Sequence, residues 1–257
     1  MIGSKVIISG GFDNGLDGYR EDPLAHTELL DLKTGQCIQL PDLPQPKSGV
    51  TGGLLGDIPL VIGGDDDGHE VLQIGKDAII PFASHLNGKS RRLFAATTQK
   101  NQSLWVTGGE DDSSNALKST ELIQRDGTII AGPDLPVAAA FHAIVDQHDD
   151  TYMLIGGWTD DGRNSKATYV YNGQSGKWTK GPDLLQGRIR HSAGILHDAI
   201  THDQYTVVVG GLYGGIPLSS VEVLKSGSTE WAQGKHIKHS FASVSYTHLT
   251  LPTILLV

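Results

Sequence analysis

Three basic clusters carry the residues of this 257-residue chain best suited to gripping a charged ligand. They are Arg91 and Arg92 behind Lys89, then Arg188, Arg190 and His191, then Lys235, His236, Lys238 and His239, with Lys47 ahead of them all. A guanidinium binds a carboxylate through two parallel hydrogen bonds, so Arg92 and Arg190 are the best anchors for an acidic group. Acidic segments alternate with the basic ones: Asp13 and Asp17, Asp65 to Asp67, Glu110 to Asp112, and Asp160 with Asp161. A fifth segment in the same series, "LYGGIPL", is uncharged and contributes Tyr213. The candidate partner-binding set is therefore Arg91, Arg92, Arg188, Arg190, His191, Lys238, His239 and Tyr213.

Other chemistries fit these residues less well. "GDDDGHE" (Gly64 to Glu70) is acidic enough to attract a cation. It is too short for a calcium loop of roughly twelve positions with a late bidentate Glu. His148, His197 and His202 sit in loops, and nothing fixes the three convergent ligands that catalytic zinc wants. The single cysteine, Cys37, excludes an intramolecular disulfide and a multi-cysteine metal site. No nucleophile elbow or phosphate-binding loop occurs. The expectation is no metal, no cofactor and no catalytic residue. A net charge of -9 argues against nucleic acid as the main partner. No apolar run reaches the ~20 residues of a membrane helix. The opening "MIGSKVIISGG" lacks the long apolar core of a signal peptide. A soluble, cytoplasmic, monomeric domain is expected, with secretion as the alternative because Asn101-Gln102-Ser103 is a glycosylation acceptor.

The elements that must position these charges recur. Five apolar, β-branched runs end in glycine pairs: Gly10-Gly11, Gly63-Gly64, Gly108-Gly109, Gly156-Gly157 and Gly210-Gly211. The first glycines are 53, 45, 48 and 54 residues apart, the period of about 50 expected of a repeat array. A polar turn follows each pair, then a strand centred on Glu28, Glu70, Glu121, Tyr169 or Glu222. Next come a turn, a strand that can carry Trp, and a Pro-rich exit such as "GPDLP". Cys37, Ile129, Trp178 and Trp231 share one register in that strand. One more strand, "RLFAATT" or "HSAGILH" for example, leads to the next glycine pair. Each unit thus reads as four strands, and radial repetition of four-stranded sheets makes a propeller. One sheet cannot cover its own apolar faces, so neighbours must stack. The second unit is the most degenerate.

The glycine pairs, the Glu or Tyr strand, Trp178 and Trp231 in register, and "RHSA" at Arg190 to Ala193 together resemble the kelch-repeat family. The resemblance covers about residues 5 to 243. It implies an all-β, kelch-type β-propeller with five recognisable four-stranded blades, in which the ten glycines and both tryptophans are structural. It also implies that the loops after the glycine pairs and the connections between blades share one face, the one kelch relatives use for partners. The basic connections would ring the channel mouth and the acidic turns lie further out. Among kelch-like enzymes, a copper-radical oxidase needs a Cys-Tyr crosslink at the channel, and Cys37 falls in an outer strand. A sugar mutarotase needs an acid/base carboxylate beside Arg near the axis, and here the acidic residues fall in peripheral turns. The function expected is a non-catalytic interaction module for a protein or peptide partner, acidic in character. The alternative is a carbohydrate-binding or sugar-isomerising propeller.

Residues 244 to 253 resemble the translated read-through of a sequencing-library adapter, and 244–257 are read as a non-native tail. On that reading the propeller domain is 1–243. It holds three strands of the first blade, four complete blades, and one innermost strand at His239 to Val244. This is an incomplete six- or seven-bladed ring, with closure at five blades as the alternative.

Overall fold

A computed structural model describes residues 5–14, 21–64, 69–83, 86 and 91–240, and for residues 12–14 and 21 only the backbone is described. Every regular element among them is a strand. The first blade holds β1 (Lys5–Ser9), a hairpin of β2 (Phe12–Asn14) and β3 (Glu21–Pro23), then β4 (Thr27–Asp31) and β5 (Cys37–Gln39). The second is β6 (Thr51–Leu55), β7 (Ile58–Ile62), β8 (Val71–Ile74) and β9 (Ile79–Pro81). The third is β10 (Ala95–Thr98), β11 (Leu104–Thr107), β12 (Thr120–Ile123) and β13 (Ile129–Ala131). The fourth is β14 (Ala143–His148), β15 (Thr151–Ile155), β16 (Thr168–Asn172) and β17 (Lys177–Lys180). The fifth is β18 (Ser192–His197), β19 (Gln204–Val209), the hairpin β20 (Leu212–Tyr213) and β21 (Ile216–Pro217), β22 (Val221–Lys225) and β23 (Ala232–Gln233). Each sheet is an antiparallel meander in chain order, three-stranded in the first blade among the described residues and four-stranded in the other four. The innermost strands β6, β10, β14 and β18 contact one another in succession about an axis. The fold is a β-propeller.

Burial explains the strand sequences. The second strand of a central blade is covered on both faces by neighbouring sheets, so it reads as a continuous apolar run. β11, "LWVT", is buried at every position, and β15, "TYMLI", at all but the first. Outer strands alternate or lie exposed, as in β5 and β13. Each adjoining pair of blades has its own core. Leu43, Val61 and Leu72 join the first two, and Leu60, Leu104 and Val106 the next. Trp105, Tyr152 and Tyr171 join the third and fourth, and Met153, Val208 and Trp231 the last. Full burial of a Leu or Ile at these seams contributes about 1.5–3 kcal/mol.

The glycine pairs bind blade to blade. The first glycine of each adopts a left-handed φ, +72° at Gly63, +56° at Gly108 and +59° at Gly156. A Cβ on these residues would lie 2.6 Å from Phe94, 2.7 Å from His142 and 2.9 Å from His191, all in the following blade. The second glycine donates its N–H across the seam: Gly11 to the Lys47 carbonyl (2.9 Å), Gly109 to Ala139 (2.8 Å) and Gly157 to Arg188 (2.9 Å). The tryptophans staple in the opposite sense. Trp178 Nε1 donates to the Asp134 carbonyl (2.9 Å) and Trp231 Nε1 to that of Pro182 (3.0 Å), each in the preceding blade's exit.

Two register expectations need correction. Glu28, Glu121, Tyr169 and Glu222 lie opposite the residue two before each glycine pair, as expected. In the second blade that place belongs to Leu72, and Glu70 lies two residues earlier. The short loop there shifted the apparent match. The innermost strand expected from His239 also differs, because His239 and Ser240 are not in a strand. Ile237 N–H bonds the Ser219 carbonyl (3.0 Å) just as Leu184 bonds Lys166 (2.8 Å), which places Lys238 and His239 in register with Leu185 and Gln186 of an exit segment. The rest of that expected strand and the adapter-like tail lie outside the described residues.

Candidate functional site

The four described connections between blades align on one another: Lys47 to Val50, Arg91 to Phe94, Ala139 to His142, and Arg188 to His191. Their four positions alternate in direction, and that alternation separates structural residues from presented ones.

The first position turns inward. Arg91 is 3% exposed and Arg188 0%. Arg91 Nη1 donates to the Gly108 and Ser119 carbonyls (2.6 and 2.8 Å), and Nη2 to Ser119 Oγ (3.0 Å) and Glu121 Oε1 (3.1 Å). Arg188 repeats this with the Gly210 carbonyl (2.8 Å), Ser220 Oγ (3.1 Å) and Glu222 Oε1. Burial works to lower the pKa of both guanidiniums, and the Glu partner works to raise it. Lys47, equally buried, pairs with Glu70 at 2.8 Å. In the fourth blade this position is Ala139, and Tyr169 stands where the Glu would be. Arg91 and Arg188 were expected on the partner-binding face, and the structure removes both. Their charges are consumed in holding each blade's first loop to its third strand.

His191, the fourth position, is also corrected. It is buried against Gly156 with neither ring nitrogen hydrogen-bonded to described residues. Its pKa is pushed down to about 3, first by burial and then by Arg188 and His142. His142, in the same place one blade earlier, bonds Thr107 Oγ1 through Nε2 (2.9 Å) and is pushed down to about 4, chiefly by burial.

The third position faces the channel mouth with an unusual backbone. Gly49, Leu93, Phe141 and Arg190 have φ of +63°, +56°, +53° and +54°. Such a conformation costs a non-glycine residue about 1–3 kcal/mol and persists only where the surroundings enforce it. Here the enforcement runs around the ring: Phe141 N–H bonds the Leu93 carbonyl (2.8 Å), and Arg190 N–H bonds that of Phe141 (3.1 Å). Arg190 is exposed, with its guanidinium 4.7 Å from the centroid of the Phe141 ring. A cation over an aromatic face gains about 0.5–1 kcal/mol and is held at a defined height.

The second position pairs with the residue just after each glycine pair: Arg92 with Glu110, Ala140 with Trp158 and Ile189 with Leu212. Arg92 is half-buried, with Nε 3.5 Å from Glu110 Oε2 and Nη2 donating to Ser114 Oγ (3.0 Å). Glu110 is only 8% exposed. Burial pushes its carboxyl above the usual range, Arg92 and Arg190 pull it back, and Asp111 adds to the rise. The expectation that acidic residues stay peripheral therefore fails at Glu110. Next to Leu212, Tyr213 is 48% and Ile216 69% exposed on the apolar hairpin, whose Gly214 N–H bonds Asn164 Oδ1 (2.8 Å).

The mouth thus combines Arg190, Arg92 and Glu110 with Phe141, Trp158 and Tyr213. Lys238 and His239 are exposed but stand in the exit segment rather than with Arg190. Sequence reasoning missed Phe141 and Trp158 and misplaced Glu110. The available signal was position: Glu110 and Trp158 directly follow a glycine pair, and Phe141 holds the place of Arg190 one connection earlier. Lys89, Asp17 and Asp65 to Asp67 lie outside the described residues. On the far face His148 and His197 stack with centroids 5.7 Å apart. Among the described residues no group of three or more His, Cys, Asp or Glu is placed to hold a metal. A cleft of about 330 Å³ on that face is lined by Lys100, Asn101, Asp150 and Tyr171, and it shares no residue with the mouth.

No known protein-family profile and no curated protein matches the chain. A solved structure of YjhT superposes with a TM-score of 0.73 at 15% identity, over 91% of this chain and 85% of that one. A likeness at that identity establishes the propeller and nothing about the mouth.

Proposed function

We propose that this chain is a non-catalytic, kelch-type recognition module that binds an acidic segment of a protein partner at the channel mouth. The observation that carries the reading is the presentation of Arg190. An inter-blade hydrogen bond, which enforces the left-handed backbone, and the Phe141 ring act to hold one exposed guanidinium at the mouth. A preorganised guanidinium beside aromatic and apolar surface suits a carboxylate flanked by an apolar residue. Arg92, partly engaged by Glu110, is the secondary anchor. The test is binding to an array of acidic peptides. Arg190→Ala should weaken the tightest binders at least tenfold and Arg92→Ala less, with unchanged melting temperatures. Equal binding by wild type and Arg190→Ala overturns the reading.

Glu110 favours a second reading, a sugar-binding or sugar-isomerising propeller. A buried carboxyl raised above its ordinary value by burial, beside a guanidinium, is of the kind used to move a proton. Catalysed anomer exchange, followed by NMR on sugars and lost in Glu110→Gln, would select this reading over the first.

A further inference from the structure

We propose that the far-face cleft between the third and fourth blades binds a free, zwitterionic amino acid with an apolar side chain. The cleft holds about 330 Å³, within the range of roughly 300–1,000 Å³ found for small-molecule sites. Its apolar wall is Leu122, Pro133 and Tyr171. The Tyr171 ring is fixed by Trp105 and Trp178, each with its centroid 5.1 Å away. Asp150 and Lys100 line the same cleft, and among the described residues neither has an ion-pair partner.

The backbone carries Asp150 to this place. His148, Asp149 and Asp150 are successive left-handed residues, with φ of +71°, +50° and +61°. Strain of this kind collects at ligand sites. Gly173 makes room for the carboxylate, since a Cβ there would lie 2.5 Å from Asp150 Cγ. Its own backbone is not left-handed, so the space it leaves, rather than a turn, accounts for the glycine. The buried Tyr152 hydroxyl donates to Asp150 Oδ1 (3.2 Å) and accepts the Lys100 backbone N–H (3.0 Å). One phenol thereby ties together the two turns that bring the opposite charges.

The next seam carries the equivalent cleft with its polar groups already engaged. Ser226 N–H bonds the Gln204 carbonyl (2.8 Å) just as Gly173 bonds that of Asp150 (2.8 Å), so Gln204 holds the place of Asp150 and Leu224 that of Tyr171. There Gln204 Nε2 donates to the Gln147 carbonyl (3.2 Å) and Gln147 Nε2 to Thr206 Oγ1 (3.1 Å), which ties the seam shut. Lys225, which lines that cleft, is paired with Asp203 at 2.7 Å. Only about 180 Å³ is left. In the seam between the third and fourth blades, a ligand ammonium would answer Asp150 and a ligand carboxylate Lys100, through charge-assisted hydrogen bonds. Its apolar side chain would lie against Tyr171 and Leu122.

The probes are L-leucine, L-methionine and L-phenylalanine, titrated into the full chain by calorimetry, with the N-acetyl and C-amide derivatives of the tightest binder. Saturable binding of at least one amino acid is expected. Both derivatives should bind about tenfold more weakly or worse, since each loses one charge-assisted contact. Asp150→Asn keeps an oxygen for the Tyr152 hydroxyl and should weaken the free amino acid as much as acetylation does. Lys100→Ala should weaken it a few-fold, because an exposed charge contributes less. Absence of binding by all three, a C-amide as tight as the free amino acid, or full affinity in Asp150→Asn would overturn the proposal. The derivatives are read on the wild-type protein, so that arm stands whatever a substitution does to folding. Arg190→Ala should bind the amino acid unchanged, and loss of binding there would place the ligand at the mouth and overturn the proposal. Failure of the cleft leaves the mouth reading intact, since the two share no residue.

Discussion

Acid should destabilise this propeller well above the pH at which carboxylates titrate, and two histidines set the size of the effect. His142 and His191 are fully enclosed at successive seams and titrate at about 4 and about 3 instead of 6.5, with burial the leading cause in both. Folded, they stay neutral; unfolded, each takes up a proton below its ordinary value. Stability is therefore complete above that value and falls as pH drops toward the folded ones. At about pH 5 the unfolded-state value stands roughly 1.5 units above the pH, which costs about 2 kcal/mol per histidine and about 4 kcal/mol for the pair. That is a large share of the roughly 5–15 kcal/mol typical of a domain. The assay is urea unfolding at neutral pH and at about pH 5, for wild type and for His142→Phe/His191→Phe. Phe94 already fills this position over Gly63, so the phenyl ring suits the seam. The variant forfeits the His142–Thr107 hydrogen bond, about 1 kcal/mol at every pH. It should nevertheless lose most of the acid-induced drop. An undiminished drop in the variant would refute the reasoning.

Other consequences follow from the seams. Arg188→Ala leaves Glu222 buried without its cation and should cost about 3–5 kcal/mol. Adding Glu222→Tyr, which reproduces the Ala139–Tyr169 pairing of the fourth blade, should recover a substantial part of that loss in chemical denaturation. Gly156→Ala places a methyl 2.8 Å from the Arg188 carbonyl at φ +59°, and should destabilise by at least about 2 kcal/mol. Gly162→Ala, at φ +71° with nothing nearer than 4.0 Å, should cost about 1 kcal/mol on the same measurement. Trp178→Phe removes the hydrogen bond to the Asp134 carbonyl and should lower stability by about 1 kcal/mol without altering the far-ultraviolet spectrum.

The propeller was legible because its requirements are local and repeated. A glycine pair under the next blade's ring, and an outer-strand Trp reaching the previous exit, recur at fixed spacing and leave a signature in one dimension. The mouth was harder to read because neighbouring residues in a connection point in opposite directions. Arg188 and Arg190 are two apart and chemically alike, but Ile189 pairs with Leu212 between them and only Arg190 reaches the surface. The contrast of Ala139 with Tyr169 against Arg91 with Glu121 and Arg188 with Glu222 was the clue that the inner Arg is a latch. Glu110 was grouped with its exposed neighbour Asp112 because the turn is acidic throughout. The bridge to Arg92 that draws Glu110 toward the axis is a tertiary contact.

The presentation of Arg190 toward a partner can be tested by placing a photo-crosslinking side chain at Tyr213, on the mouth hairpin, and separately at Ile200, on the opposite face and 89% exposed. With an acidic peptide selected from the array, crosslinks are predicted at position 213 alone, and they should vanish when Arg190→Ala is added. Crosslinking from position 200, or from position 213 regardless of Arg190, would contradict the account.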